Sequence, residues 1–126
     1  MKTETCPCGS SKPYEDCCEP LHLGKAHAKT AEALMRSRYS AYVKLHEQYL
    51  LDTWHPSTRP TSLDLEPKNW IGLKILLTKS GAENDVNGWV KFVARYKING
   101  KAFRLEELSS FEKEDGVWYY VDAADQ

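Results

Sequence analysis

The feature that most constrains this chain is a cysteine cluster at its start. Cys6, Cys8, Cys17 and Cys18 follow the pattern C-x-C-x8-C-C, and no cysteine follows Cys18 in a chain of 126 residues. In a reducing compartment, thiols crowded in this way serve as metal ligands more readily than as disulfide partners. Zinc takes its ligands tetrahedrally with sulfur at ~2.3 Å, and two close pairs joined by a short connector can converge on one ion. Pro7 stiffens the first pair, and Gly9 can take the positive φ that turns the chain around the metal. Ser10 and Ser11 read as a helix start with Pro13 in the first turn, so Cys17 and Cys18 are expected on a ligand-positioning helix. The thiolates outweigh the charge of the ion, and backbone N–H groups with Lys2 or Lys12 are the expected compensation. The expected cofactor is one structural Zn2+, because sulfur ligation of this kind leaves no position for substrate or activated water. His22 and His27 are nearby substitutes for a cysteine. A redox dithiol, iron–sulfur chemistry and a strained vicinal Cys17–Cys18 disulfide are the rival readings.

Residues 19–29 hold Pro20 and Gly24 with little apolar periodicity and read as a linker, which divides the chain into a module over 1–29 and a domain over 30–126. Thr30 is an expected N-cap with Glu32 in the first turn. Met35, Tyr39 and Val43 then recur at helical spacing through to about Leu45, with Ala31, Leu34 and Tyr42 widening the stripe. A short second helix over about 46–53 presents Tyr49, Leu50 and Trp54, and the segment 55–69, with Pro56, Pro60 and Pro67, reads as loop.

Beyond Trp70 the period becomes two. Ile71, Leu73, Ile75 and Leu77 alternate along one predicted strand, and Val90, Phe92, Ala94, Tyr96 and Ile98 along another. Asn99-Gly100 signals a type I′ hairpin that places Tyr96 opposite Phe103, Ala94 opposite Leu105 and Phe92 opposite Glu107. For the next hairpin, a three-residue loop Glu114-Asp115-Gly116 with a bulge pairs Phe111 with Tyr119 and Ser109 with Val121. Helices followed by an antiparallel meander predict an α+β domain with one sheet face covered.

That register aims the Glu107 carboxylate at the helix-facing side of the sheet, where a buried charge demands a partner. Arg36, Arg38 or Arg59 can supply it as a structural ion pair. The functional alternative makes Glu107, Ser109, Tyr119 and His55 the polar wall of a pocket. Lys91, Arg95, Lys97 and Lys101 beside Trp89 read as a solvated strand face. Seventeen basic against eighteen acidic side chains provide no global field for nucleic acid. No stretch approaches the ~18 apolar residues of a membrane span and no leader-like apolar run follows Met1, so the expectation is a cytoplasmic protein without membrane association. No Walker loop, dinucleotide fingerprint or nucleophile elbow occurs, so no catalytic residue is assigned.

The run CPCGSSKPYEDCC resembles the SEC-C motif, the zinc-binding tail of the preprotein-translocase motor SecA, which docks onto a secretion chaperone. With the segments around 20–22, 30–42 and 53–60, the chain resembles the YchJ-like family of uncharacterised bacterial proteins. The resemblance implies a SEC-C module followed by a nuclear transport factor 2-like domain, a cone of N-terminal helices on a curved sheet. It also implies a protein partner docking through the zinc knuckle, which makes a protein-interaction adapter the first expectation. The alternatives are a small-molecule binder or enzyme using a pocket around Glu107, and ribosome or RNA association.

Overall fold

The computed structural model of the chain describes residues 4–66 and 68–123. Three helices precede a four-stranded sheet: α1 (Glu19–His22), α2 (Ala31–Lys44), α3 (Glu47–Asp52), β1 (Asn69–Ser80), β2 (Asn87–Ile98), β3 (Lys101–Glu114) and β4 (Val117–Ala123). The strands form an antiparallel meander in the order β1-β2-β3-β4, and the helices cover one of its faces.

Helix α2 starts where its capping residue predicts, with Thr30 Oγ1 accepting from Ala33 N–H at 3.0 Å. It ends at Leu45, whose left-handed φ of 60° turns the chain into α3. Ala31, Leu34, Met35 and Tyr39 pack against Val90, Phe92 and Ala94 of β2 and against Phe111 and Trp118. A second stripe, Arg36, Ser40 and Lys44 at i, i+4 and i+8, faces the cysteine segment. Helix α2 is therefore a central element packed on two sides.

The first hairpin has the expected register. Asn99 and Gly100 have φ of 52° and 78°, as a type I′ turn requires, and Phe92, Ala94 and Tyr96 lie opposite Glu107, Leu105 and Phe103. The second hairpin corrects the expectation. Asp115 and Gly116, with φ of 53° and 80°, form a two-residue turn flanked by Glu114 and Val117, so Phe111 pairs with Tyr120 and not Tyr119. The irregularity lies farther along, between Ser110 and Phe111, which leaves Ser109 opposite Ala123 and not Val121. This register buries Trp118 at 2% exposure and packs Tyr120 on the core, an apolar gain that the bulged loop forfeits.

Strand β1 also departs from strict alternation. Ile71 and Leu76 fall at register shifts, so Trp70, Leu73 and Ile75 pack on the core while Ile71 and Leu77 stay more than half exposed. The supposed linker contains α1, and the cysteine connector is not one helix from Ser10. It is a bridge between Thr5 and Pro13 followed by a 3-10 turn over Tyr14–Asp16, because Ser11 takes a left-handed φ of 70° that interrupts any helix there. Pro67 and Lys2 lie outside the described residues.

Candidate metal centre and ligand cavity

The bridge Thr5–Pro13 folds the N-terminal segment back on itself, with Cys6 N–H donating to Lys12 O and Tyr14 N–H to Glu4 O. Gly9 makes the tight return at φ 85°. These constraints bring one sulfur from each of Cys6, Cys8, Cys17 and Cys18 within 4.8 Å of one another. Tetrahedral sulfur ligation at ~2.3 Å requires sulfur–sulfur edges of about 3.8 Å. Cys8 Sγ lies 3.6 Å from Cys17 Sγ, and Cys17 Sγ lies 3.9 Å from Cys18 Sγ. The donor set thus fits a thiophilic metal ion.

Sulfur charge in this cluster is stabilised by hydroxyls. Ser40 Oγ is 3.4 Å from both Cys6 Sγ and Cys18 Sγ, and Ser10 Oγ is 3.1 Å from Cys17 Sγ. The hydrogen bond from Cys18 holds the Cys8 thiol low, at about 4, and the same interaction pushes Cys18 up. Burial raises Cys17. Cations reach the module from α2: Arg36 Nη1 donates to Cys8 O at 2.7 Å, and Lys44 Nζ lies 3.0 Å from the Glu4 carboxylate. Lys12, the expected counter-charge, is exposed.

His22 does not join the sulfurs. Its Nε2 donates to Ser37 O at 2.8 Å and its Nδ1 accepts from Tyr14 OH at 2.6 Å, while burial lowers its pKa from the ordinary histidine value. His27 is exposed and stands apart from the cluster. The contributions of Ser40 and Arg36 were not read from the sequence. The available signal was their i, i+4 spacing, which repeats at Lys44 on a helix already committed to the sheet on another face.

On the other side of α2 lies a cavity of about 280 Å³ between the helix and the sheet. Glu107, Ser109 and Arg38 line it, as does Tyr120, which takes the place expected of Tyr119. Ser109 Oγ donates to Glu107 Oε2 at 2.6 Å, and Tyr120 OH donates to the same oxygen at 3.3 Å. Burial and the neighbouring Glu107 charge raise the Tyr120 pKa, so its phenol stays protonated and can donate. The expected ion pair is absent among the described residues: Glu107 takes part in no salt bridge, and Arg38 is held otherwise. Arg38, 3% exposed, donates through Nη1 to Leu50 O and Thr53 Oγ1, both at 2.8 Å. Its guanidinium carbon lies 4.5 Å from the Tyr120 ring and 5.1 Å from that of Trp54, and burial lowers its pKa.

The other candidates lie elsewhere. Arg36 faces the cysteines, where it also pairs with Glu32. Arg59 Nε donates to Trp54 O and braces an exposed turn. His55 is tied to that turn through Nδ1, which faces Ser57 Oγ at 2.8 Å, and its Nε2 lies 2.7 Å from Glu114 Oε2. Tyr119 packs on the His55 ring, 5.8 Å between centroids. Trp54 reaches the cavity through its pairing with Tyr120 of β4, which no local pattern announces. A larger groove of about 570 Å³ runs between the helices and β4 past His22 and His46. Both His22 nitrogens there are already bonded within the fold.

On the outer sheet face, Lys91 and Arg104 both pair with Glu106, and Lys101 lies on the opposite face, alongside Phe103. No described helix is long and apolar enough to cross a membrane.

Comparison with known proteins agrees with this architecture. The family model described as YchJ, middle NTF2-like domain, matches residues 30–123, and the SEC-C motif matches residues 3–20. A UPF0225 protein of Streptomyces coelicolor is 51% identical over 123 residues, covering 97% of this chain and 96% of its own. One from Chromobacterium violaceum is 51% identical over 120 residues, covering 92% and 89%. The solution structure of a SEC-C motif containing protein from Rhodopseudomonas palustris superposes with a TM-score of 0.85 at 33% identity, covering 98% of this chain and 99% of the other. A crystal structure of a SEC-C motif containing protein from Psychrobacter arcticus gives 0.78 at 30% identity, covering 98% and 84%. The chain belongs to the UPF0225 family, with a SEC-C motif and a YchJ-type NTF2-like domain.

Proposed function

We propose that this protein binds a small ligand in the cavity between α2 and the sheet, and that a zinc ion held by Cys6, Cys8, Cys17 and Cys18 buttresses α2 from the opposite side. The carrying observation is Arg38: a guanidinium 3% exposed lines that cavity without a carboxylate in ion-pair contact. Neutral hydrogen bonds offset the burial of a charge only in part, and an anionic ligand would supply the counter-ion that no carboxylate provides in contact. Zinc is the metal this reading assigns, because all-sulfur tetrahedral sites with a closed coordination sphere suit a structural zinc. A thermal-shift screen of a metabolite library against full-length protein tests the ligand reading, with Glu107→Gln run in parallel. The expected result is a compound whose stabilisation shrinks in the variant, and silence across the library overturns the reading. Elemental analysis of protein purified without chelators is expected to find one zinc per chain.

One observation favours a second reading, docking to a protein partner through the module. Glu15 and Asp16 are exposed on the turn that leads into Cys17, the least buried ligand, and together they offer an acidic face to a basic partner. Under this reading, Glu15→Lys with Asp16→Lys abolishes partner co-purification at unchanged metal content. Unaltered co-purification counts against it.

A further inference from the structure

Building on the receptor reading, we infer that the cavity takes a small planar monocarboxylate, an aromatic acid whose carboxylate meets Arg38 and whose far edge donates a hydrogen bond to Glu107. The charged groups lining the cavity are Arg38, Lys68 and Glu107, two cations against one carboxylate, so a single negative charge on the ligand balances it. Arg38 spends Nη1 on Leu50 O and Thr53 Oγ1, which are neutral. A guanidinium carries five N–H donors in a planar fork that matches a carboxylate, which leaves donors for an anion entering the cavity. Lys68, with Nζ 5.6 Å from the Tyr96 ring, is the second cation on the lining.

The walls determine the shape of the ligand. Trp70 contacts both Tyr39 and Tyr96, with ring centroids at 5.4 and 5.3 Å, and Trp54 and Tyr120 meet edge to face at 5.0 Å beside the guanidinium. Aromatic walls of this kind stack a planar ring well. A volume of about 280 Å³ lies at the small end of the ~300–1,000 Å³ range of ligand sites, room for one or two fused rings. Glu107 gives specificity. Its Oε2 already accepts from Ser109 and Tyr120, while Oε1 has no partner among the described residues and is open to a hydroxyl or N–H on the ligand.

The test uses full-length, zinc-loaded protein and isothermal titration with benzoate, 4-hydroxybenzoate, indole-3-carboxylate, benzamide, 4-hydroxybenzamide and benzylamine. Acids are expected to bind at least tenfold more tightly than their amides, with 4-hydroxybenzoate ahead of benzoate. Arg38→Lys keeps the charge but loses the fork, and should weaken the acids at least tenfold. If that variant does not fold, Lys68→Ala and Glu107→Gln carry the test: the first is expected to weaken every acid about threefold, the second to erase the preference for 4-hydroxybenzoate over benzoate. Equal binding of acids and amides, or preferential binding of benzylamine, overturns the acid class while the receptor reading stands. Failure of all six probes overturns the acid class; the library screen then decides the receptor reading separately, because a hit of other chemistry preserves it and silence removes it.

Discussion

Cys8 has no exposed surface, and its backbone carbonyl is bound by Arg36, so a metal held by its thiolate would be tied to the helix as well as to the knuckle. Replacing it with serine swaps a soft sulfur donor for a hydroxyl that holds zinc poorly. We predict that Cys8→Ser retains well under one metal per chain by elemental analysis. A loss of about 3 kcal/mol would lower the melting temperature by roughly 10–20 °C, as seen in circular-dichroism melts. The convergence of the four cysteines was legible at this scale because their spacing in the chain announces it directly. Their hydroxyl and arginine neighbours were not, since Ser40 and Arg36 reach the sulfurs only after α2 has docked. Arg38 was one of three arginines considered for Glu107, and the three are parted by their helical or loop placement: Arg36 falls on the module side of α2, Arg38 on the cavity side, and Arg59 beyond α3.

Among the elements, hairpins separate what sequence specifies from what packing decides. Asn99-Gly100 strongly favours a two-residue turn, and each residue of β3 from Lys101 to Glu112 then has a fixed partner on β2. Asp115-Gly116 suits either a two-residue turn or a bulged three-residue loop, and the choice falls to which aromatics gain burial. Strand β1 misleads for a related reason: Ile71, Leu73, Ile75 and Leu77 alternate in sequence, but the shifts at Ile71 and Leu76 reset the phase. The observed register predicts that Trp118→Ala costs about 3–5 kcal/mol and Tyr119→Ala well under half of that in urea unfolding. Comparable losses at both positions would refute it. Where α2 abuts the β1–β2 connection, a Cβ on Gly88 would stand 2.5 Å from Gly81 Cα and 3.0 Å from Ala31 Cβ. Backbone cannot give way cheaply there, so Gly88→Ala should destabilise by about 2 kcal/mol or more, measured by the same unfolding.

In the whole molecule, α2 is the element on which metal centre and cavity both depend. Its Arg36, Ser40 and Lys44 hold the cysteine module, its Met35 and Tyr39 hold the sheet, and Arg38 lines the cavity. Sequence reading treats 19–29 as a linker and leaves open whether the module packs on the larger domain or swings freely. Contacts from His22 to Ser37 and from Tyr14 to His22 instead tie that segment to α2. Metal removal should therefore destabilise the sheet domain as well. An ion present at a thousandfold excess over its dissociation constant contributes about 4 kcal/mol to whatever unfolds with it. With a strong chelator we predict one cooperative transition shifted down by roughly 10–20 °C, seen at the same temperature by far-ultraviolet circular dichroism and by tryptophan fluorescence. The tryptophans report on the sheet side of α2, far in sequence from the sulfurs. An unshifted fluorescence transition after complete metal loss would mean that the module is held to the domain without supporting it, and that Arg36, Ser40 and Lys44 make contacts without energetic consequence.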